Sequence, residues 1–516
     1  MSQHVQPVFE EEYADESGVE VAPAGMLDGL SQQFGAAPWW VVSGSFHALL
    51  LLLITLIGMA VFRANPAEAI YTVEIKQDEP PKYEEKKLTH VFEQPVPVEV
   101  NLPPVEQQVV YHEFVEPSEF VETEDDAQEH AARGDEKAIS DVDFKGISIS
   151  ASIGVGGPSG GMHGTREVGM RRRMLHEGGG PPGTESAVLK ALDWLARHQE
   201  ADGHWDTMKY EARYKTDTAV TGFALLAFLG YGHTERVGKY KDTVKRATRW
   251  LISKQQTNGL VFDSTDAGGH RGVGYPHAIA GMALAEAAGM GAPDDVKKAA
   301  QKAVDYSIDA HQQGDGSDKL GWRYQAKQAA DLSVTGWYVM QLKSAVMGKL
   351  SVDPAAFEGA LKFLDSVEKK VEGSEYGASV YHYQPGNPHE HTAHRLTAIG
   401  TLCRQFMGFK MEELQGSVDW FVEKGGVPEW GATGDRVDLY YWYYGTLCAH
   451  QQAGAVWKRW NDAMIKALCD NQRKGGDEDG SWDPCGAYSG EWGRAGQTAL
   501  GALCLEVYYR YHRHHR

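Results

Sequence analysis

Six stretches of this 516-residue chain open in the same way, and that recurrence limits the folds open to it more than any other feature. Asp217-Thr-Ala-Val-Thr-Gly222 and Asp331-Leu-Ser-Val-Thr-Gly336 share a D-x-x-x-T-G pattern, and each leads into a long apolar run. Cognate runs open at Pro276-His-Ala-Ile-Ala-Gly281, Ala393-His-Arg-Leu-Thr-Ala398, Asp438-Leu-Tyr-Tyr-Trp-Tyr-Tyr-Gly445 and Arg494-Ala-Gly-Gln-Thr-Ala499. The starts are spaced 45 to 62 residues apart. A unit of that size cannot bury its apolar face alone, so neighbouring units must stack on one another.

Each run follows an amphipathic segment. In Glu185–His198, Val188, Leu192 and Leu195 fall on one helical face, and Thr184 is placed to cap the helix. Equivalent segments are Lys241–Gln255, Asp294–Gln313, Pro354–Val371, Met411–Glu423 and Val456–Gln472. The second helix of each pair is apolar and small on several faces, as in Ala278-Ile-Ala-Gly-Met-Ala-Leu-Ala285, which marks a helix buried on all sides. Six such helices inside six amphipathic ones predict an all-α fold, an (α/α)6 double-ring toroid over residues 184–516. Between the helices, Gln199-Glu-Ala-Asp-Gly203-His-Trp205 and Asp479-Gly-Ser-Trp482 predict glycine turns closed by tryptophan, with Gly321-Trp322 and Glu429-Trp430-Gly431 as looser versions.

The front of the chain differs in kind. Residues 1–38 hold no Lys or Arg but carry Glu10-Glu11-Glu12, and read as an acidic disordered tail. Trp39–Phe62 is almost wholly apolar, and its 24 residues at about 1.5 Å each are long enough to cross a bilayer with some tilt. The expectation is a single retained transmembrane helix over 39–62, with Trp39 and Trp40 at its edge. The long acidic leader argues against a cleaved secretory signal. Residues 63–183 alternate prolines with acidic runs and end in glycines, which predicts a linker in which Arg171-Arg172-Arg173 is a solvated cluster. Ile147–Ile153 alternates at the strand period, but a solvated linker is the preferred reading. The few flanking charges place the toroid on the cytoplasmic side, whereas the layout of 39–117 resembles TonB-type energy transducers and implies the opposite side. The side of the membrane therefore stays open.

The formal charge of −21 provides no basic surface for phosphates and excludes general nucleic-acid binding. The five cysteines show no paired spacing, and Cys403, Cys448 and Cys504 recur in phase ten residues after three helix starts. They read as equivalent buried helix positions, and no disulfide framework is expected.

The Gln…Asp-Gly-x-Trp elements at 199–205 and 472–482 resemble the QW motif of squalene and terpenoid cyclases. Residues 184–511 as a whole resemble the prenyltransferase and squalene oxidase repeat family, whose fold is an α/α toroid. The likeness to its membrane-tethered planctomycete branch is carried by Gly321-Trp-Arg-Tyr324, Ser333-Val-Thr-Gly-Trp337, Tyr440–Tyr444 and Leu505–Tyr511. The chain departs from the family's chemistry. It lacks an acidic DxDD, and Asp477-Glu-Asp479-Gly480 lies on a turn. Where the zinc prenyltransferases have Asp-x-Cys and a later His, this chain has Asp438, Tyr440 and Gln497.

The candidate catalytic residues are the cavity-mouth set Asp217, Asp331, Asp438 and Tyr440, although each aspartate could equally cap its own helix. Candidate ligand-binding rings are Trp337, Tyr338, Tyr441 and Trp442, with helix-to-helix packing as the alternative role. His389, His391 and His394 form the most metal-like cluster, but they lack HExxH spacing and read as surface or capping histidines, so no metal or cofactor is expected. The leading expectation is a membrane-tethered toroid that binds a peptide, glycan or lipid ligand, or acts as an envelope scaffold. The alternative is an enzyme using cavity carboxylates, either an isoprenoid cyclase or transferase or a glycan-cleaving enzyme. Convergent carboxylates in a deep cavity would favour the enzyme, and a filled centre the scaffold.

Overall fold

The computed structural model describes residues 161–166, 168–266, 272–374 and 377–511, with His47 alone upstream. The expected tail, most of the membrane segment 39–62, most of the linker and the terminal His512–Arg516 lie outside the described residues. Among the described residues no helix is long and apolar enough to cross a membrane.

Fourteen α-helices are present among the described residues. A first helix, α1 (Val168–Glu177), precedes six pairs. The outer members are α2 (Pro182–Arg197), α4 (Lys241–Ser253), α6 (Asp294–Asp305), α8 (Pro354–Val367), α10 (Met411–Gly425) and α12 (Gly454–Cys469). The inner members are α3 (Asp217–Gly230), α5 (Gly274–Gly289), α7 (Leu332–Met347), α9 (Ala393–Phe406), α11 (Leu439–Gln452) and α13 (Ser489–Leu505), followed by the single turn α14 (Val507–Arg510). Each inner helix packs against the next, and α13 packs back against α3, so the inner ring closes. Five of the outer helices pack on their own inner partners, and α8 packs on the preceding inner helix α7, which gives two concentric rings. The protein is an (α/α)6 toroid.

Burial follows the amphipathic pattern. Every residue of α5 from Pro276 to Ala288 is buried, whereas the outer helix α6 buries only Val296, Ala299, Ala300, Ala303 and Val304. Two outer segments are shorter than their sequence pattern. The third ends at Asp305 and continues as a π-helical turn over Tyr306–His311, and the fourth passes at Glu368 into a small antiparallel ribbon, β1 (Glu368–Lys370) with β2 (Ser379–Tyr381). Inside α13 the backbone breaks at Gly493, whose φ of 57° and position against the Tyr210 carbonyl exclude a side chain. The inner helix proper therefore starts at Arg494.

The turns explain how the ring is held. Trp205, Trp322 and Trp482 are fully buried, and their Nε1 atoms donate to Leu195 O (2.9 Å), Ser307 O (2.6 Å) and Leu468 O (2.8 Å) at the end of the preceding outer segment. Their backbone N–H groups meet the hydroxyls of Thr221, Thr335 and Thr498 on the inner helices. The threonine of the D-x-x-x-T-G pattern is thus a receptor for the turn. A glutamine before four of the turns donates to the turn itself and to the next outer helix. Gln199 reaches Thr243 O at 3.0 Å, Gln255 reaches Ala299 O at 2.9 Å and Gln312 reaches Ala356 O at 2.9 Å. Gln472 reaches Ala187 O at 2.8 Å, and this bond joins the last outer helix to the first.

Residues 161–183, read from sequence as the linker's end, are packed on the ring in the part described. Arg171 is buried, pairs with Glu185 at 3.2 Å, donates to Tyr231 O at 2.9 Å and lies 3.7 Å from the Tyr231 ring centre. Arg173 is exposed. The solvated-cluster expectation therefore fails for Arg171, because partners from two later helices satisfy it. Thr184 does not cap α2; it is buried within the helix, and Pro181 stands at the cap.

Candidate functional site

Among the described residues, aromatic side chains of the inner helices pack against one another at the centre of the toroid. Trp337 of α7 is 2% exposed, stacks on Tyr443 (5.5 Å between centroids, 11° between planes), and meets Tyr444 at 5.3 Å and Phe223 at 5.4 Å. Rings from three inner helices thereby fill the axis, where their apolar area does most to hold the helices together. The expected ligand-binding rings all belong to this packing or to the layer between the two helix rings. Tyr338 stacks flat on Trp322 and its hydroxyl meets His311 at 3.1 Å. Tyr441 donates to Phe421 O and Gly426 O, and Trp442 is 2% exposed.

Another set of rings lies in an arc at the N-terminal ends of the inner helices. Tyr383 and Tyr324 share a hydroxyl–hydroxyl hydrogen bond of 2.8 Å, and Tyr324 packs against Tyr275 at 5.9 Å. Tyr275 donates to Ser333 Oγ at 2.7 Å, and Tyr440 to Ser333 O at 3.1 Å. Tyr440 continues to Tyr488 at 5.6 Å, and Tyr488 to Trp492 at 6.0 Å. Tyr488 is 38% exposed and the other five are partly buried, so the arc presents ring surface to solvent. Arg323 lies over Tyr324 and Tyr383, and Arg395 over Tyr488.

The candidate acids lie beneath and beside this arc. Asp331 caps α7 by accepting from Val334 N at 2.9 Å, and also accepts from Ser333 Oγ at 2.7 Å. Its Oδ2 is buried without a hydrogen-bond partner, with Arg323 Nε at 4.0 Å, and burial raises its pKa. Asp438 caps α11 through Tyr441 N and is ion-paired with Arg395. Asp217 is not a cap. Its Oδ1 accepts from Thr207 N and Thr207 Oγ1, because the N–H groups of Asp217 and Thr218 are already taken by Asp266 at 3.0 and 2.9 Å. Asp266 escaped the sequence reading, since nothing local marks a cap supplied from 49 residues away. Burial, together with the neighbouring Asp217 charge, raises the Asp266 pKa to about 6. Of the proposed catalytic set, only Asp331 and Tyr440 meet, through Ser333.

The histidines do not assemble. His389 stands against Tyr383, His394 lies edge-on to Tyr441, and His391 is exposed in a short 3-10 turn. Among the described residues no group of three or more His, Cys, Asp or Glu side chains is placed to hold a metal. Cys403, Cys448 and Cys504 are buried at equivalent inner-helix positions, where burial pushes the Cys403 and Cys504 thiols up to about 12.

No family model matches the chain, and no curated protein matches it. Among solved structures it is similar to a cellobiose 2-epimerase from Bacillus thermoamylovorans, at 13% identity and TM-score 0.45 over 66% of this chain and 100% of that one. A cellobiose 2-epimerase from Spirochaeta thermophila matches at 13% identity and TM-score 0.43, over 66% and 98%. A type II terpene cyclase from Scytonema matches at 12% identity and TM-score 0.38, also over 66% and 98%. At these identities and scores the likeness carries nothing about activity.

Proposed function

We propose that this protein is a toroid, tethered to a membrane through residues 39–62, that binds a glycan across its aromatic mouth without transforming it. The observation that carries the reading is the arc Tyr383–Tyr324–Tyr275–Tyr440–Tyr488–Trp492 above a filled axis. Rings with one apolar face and a polar edge suit a ligand that is itself apolar on its ring faces and hydroxylated at its rim. Arg323 and Arg395 add donors beside the rings. Two of the three candidate aspartates already serve the structure, Asp217 as a turn acceptor and Asp438 as an ion-paired cap, which supports binding over turnover. The test is retention of the detergent-solubilised full chain on a panel of immobilised polysaccharides. Trp492→Ala and Tyr488→Ala should each weaken retention about tenfold with an unchanged melting temperature. Equal retention by wild type and both variants would refute the reading.

One observation favours the enzymatic alternative. Asp331 Oδ2 accepts no hydrogen bond and burial raises the Asp331 pKa, both of which suit a general acid. Product release from a polysaccharide by the wild type, lost in Asp331→Asn at unchanged stability, would replace binding with catalysis.

A further inference from the structure

The end of the ring opposite the mouth is closed by a piece of chain that does not belong to any helix pair. Residues Gly161–Arg166 form a short 3-10 turn, with His163, Thr165 and Arg166 each at most 2% exposed. Thr165 Oγ1 donates to Tyr509 O at 2.6 Å. The Arg166 guanidinium enters the ring and meets four acceptors: Glu286 Oε2 at 2.9 Å, Leu229 O at 3.1 Å, Met290 Sδ at 3.1 Å and Arg510 O at 3.4 Å. These come from the C-terminal ends of two inner helices and from α14. Such a convergence makes a receptor for a guanidinium group.

We propose that Gly161–Arg166 is a releasable plug, and that the pocket under it takes an arginine side chain from a peptide when the plug leaves. This does not depend on the mouth binding a glycan. Two features separate the plug from ordinary core. First, the ring's own charge is satisfied without it. Glu286 Oε1 accepts from Arg510 Nη2 at 2.9 Å, and from Tyr511 OH and Ser344 Oγ at 3.4 Å, while Arg510 Nη1 donates to Tyr443 OH at 2.8 Å. Withdrawal of Arg166 takes the ion-pair partner of Glu286 Oε2 but leaves the carboxylate paired with Arg510 through Oε1, so the buried charge is not stranded outright. Second, the plug is poorly satisfied where it sits. Both ring nitrogens of His163 and Arg166 Nε are buried without a hydrogen-bond partner among the described residues. Solvent supplies those partners once the plug is out, which lowers the cost of local opening while the rings stay intact. The anchor just downstream holds, because α1 buries Arg171, Met174 and Leu175.

The test is native-state thiol labelling of the full chain in detergent, read site by site by mass spectrometry. Thr165→Cys, and separately His163→Cys, place a reporter in the plug, while the buried Cys403 and Cys448 of the inner ring report global opening. The plug thiol should label at least about 100-fold faster than Cys448, with a much weaker urea dependence. Adding Arg166→Ala should raise the plug rate further and leave Cys448 unchanged. L-argininamide at millimolar concentration should raise the plug rate severalfold, whereas L-lysinamide at equal ionic strength should not. Plug and ring thiols labelling at one rate with one urea dependence would overturn the plug. Fast local labelling with no preference for argininamide over lysinamide would overturn the guanidinium pocket.

Discussion

Acid should open this fold through its buried histidines, and the structure sets the size of the effect. His163, His233 and His277 are held down to about 3 by burial, and His311 to about 4 by the same cause. In the unfolded chain each titrates near its ordinary value of about 6.5. Their folded pKa values are depressed, so the unfolded state takes up more protons as pH falls below about 6.5. The stability these groups give at neutral pH is then lost progressively toward their folded values. Three carboxyls oppose this. Asp266, raised to about 6, and Glu506 and Asp331, both raised by burial, hold protons in the folded state that the unfolded chain releases. Between pH 6 and 4.5 the four histidines outweigh them by roughly one to two protons, or about 1.4–3 kcal/mol per pH unit. The total, about 2–4 kcal/mol, is a large share of the 5–15 kcal/mol that a folded domain typically has. Urea unfolding at a series of pH values, followed by circular dichroism, measures the slope directly.

One substitution isolates a single term. His277 Nδ1 accepts from Val261 N at 3.0 Å, at the position where Thr221, Thr335, Thr397 and Thr498 receive the equivalent N–H in other repeats. His277→Thr keeps the acceptor type and removes the titration. It should lower the slope by about 1.4 kcal/mol per pH unit, whatever it costs at pH 7. An unchanged slope, or a wild type whose stability is flat from pH 6 to 4.5, would refute the reasoning.

Further outcomes follow from the same geometry. Gln472→Leu removes two donations from one buried amide, to Gly480 O and Ala187 O, and should cost about 2–4 kcal/mol by urea unfolding. Gln255→Leu, which loses the matching pair within the ring, should cost a similar amount, and a much smaller effect at Gln472 would argue against closure. Gly336→Ala should destabilise by about 1–3 kcal/mol, because the new Cβ overlaps Ile399 Cγ2 on the neighbouring inner helix. Cys403, Cys448 and Cys504 should resist thiol reagents until the ring unfolds, since burial raises all three thiols; rapid native labelling of Cys448 would contradict their placement.

The helix pairs were legible because periodic apolar runs and glycine–tryptophan turns are local signals, and the inner starts at 217, 331, 393, 438 and 494 agree with the structure to within a residue or two. The (α/α)6 architecture followed from counting them. Other features depend on partners far away in the chain. Asp266 caps a helix that starts before it, Arg171 is buried by Glu185 and Tyr231, and Gln472 is the seam of the ring only once the last outer helix lies beside the first. In the Tyr440–Tyr444 run, period alone says that some rings face in and others out. It does not say that Tyr443 fills the axis, that Tyr441 points to the outer layer, or that Tyr440 joins the mouth. The same limit applies to the candidate acids, whose residue type suits capping and catalysis alike. The structure separates Asp438, closely paired with Arg395, from Asp331, whose Oδ2 has no hydrogen bond and only a loose ion pair with Arg323.

Hydroxyl-radical footprinting of the full chain, with and without the polysaccharide that retains it best, tests the solid axis and the aromatic mouth together. Tyr440, Tyr488 and Trp492 should be oxidised in the free protein and protected by the ligand, while Trp337 and Tyr443 stay unmodified throughout. Ready oxidation of Trp337 in the free protein would mean an open centre, and protection confined to any other surface would mean that the mouth is not where this protein binds.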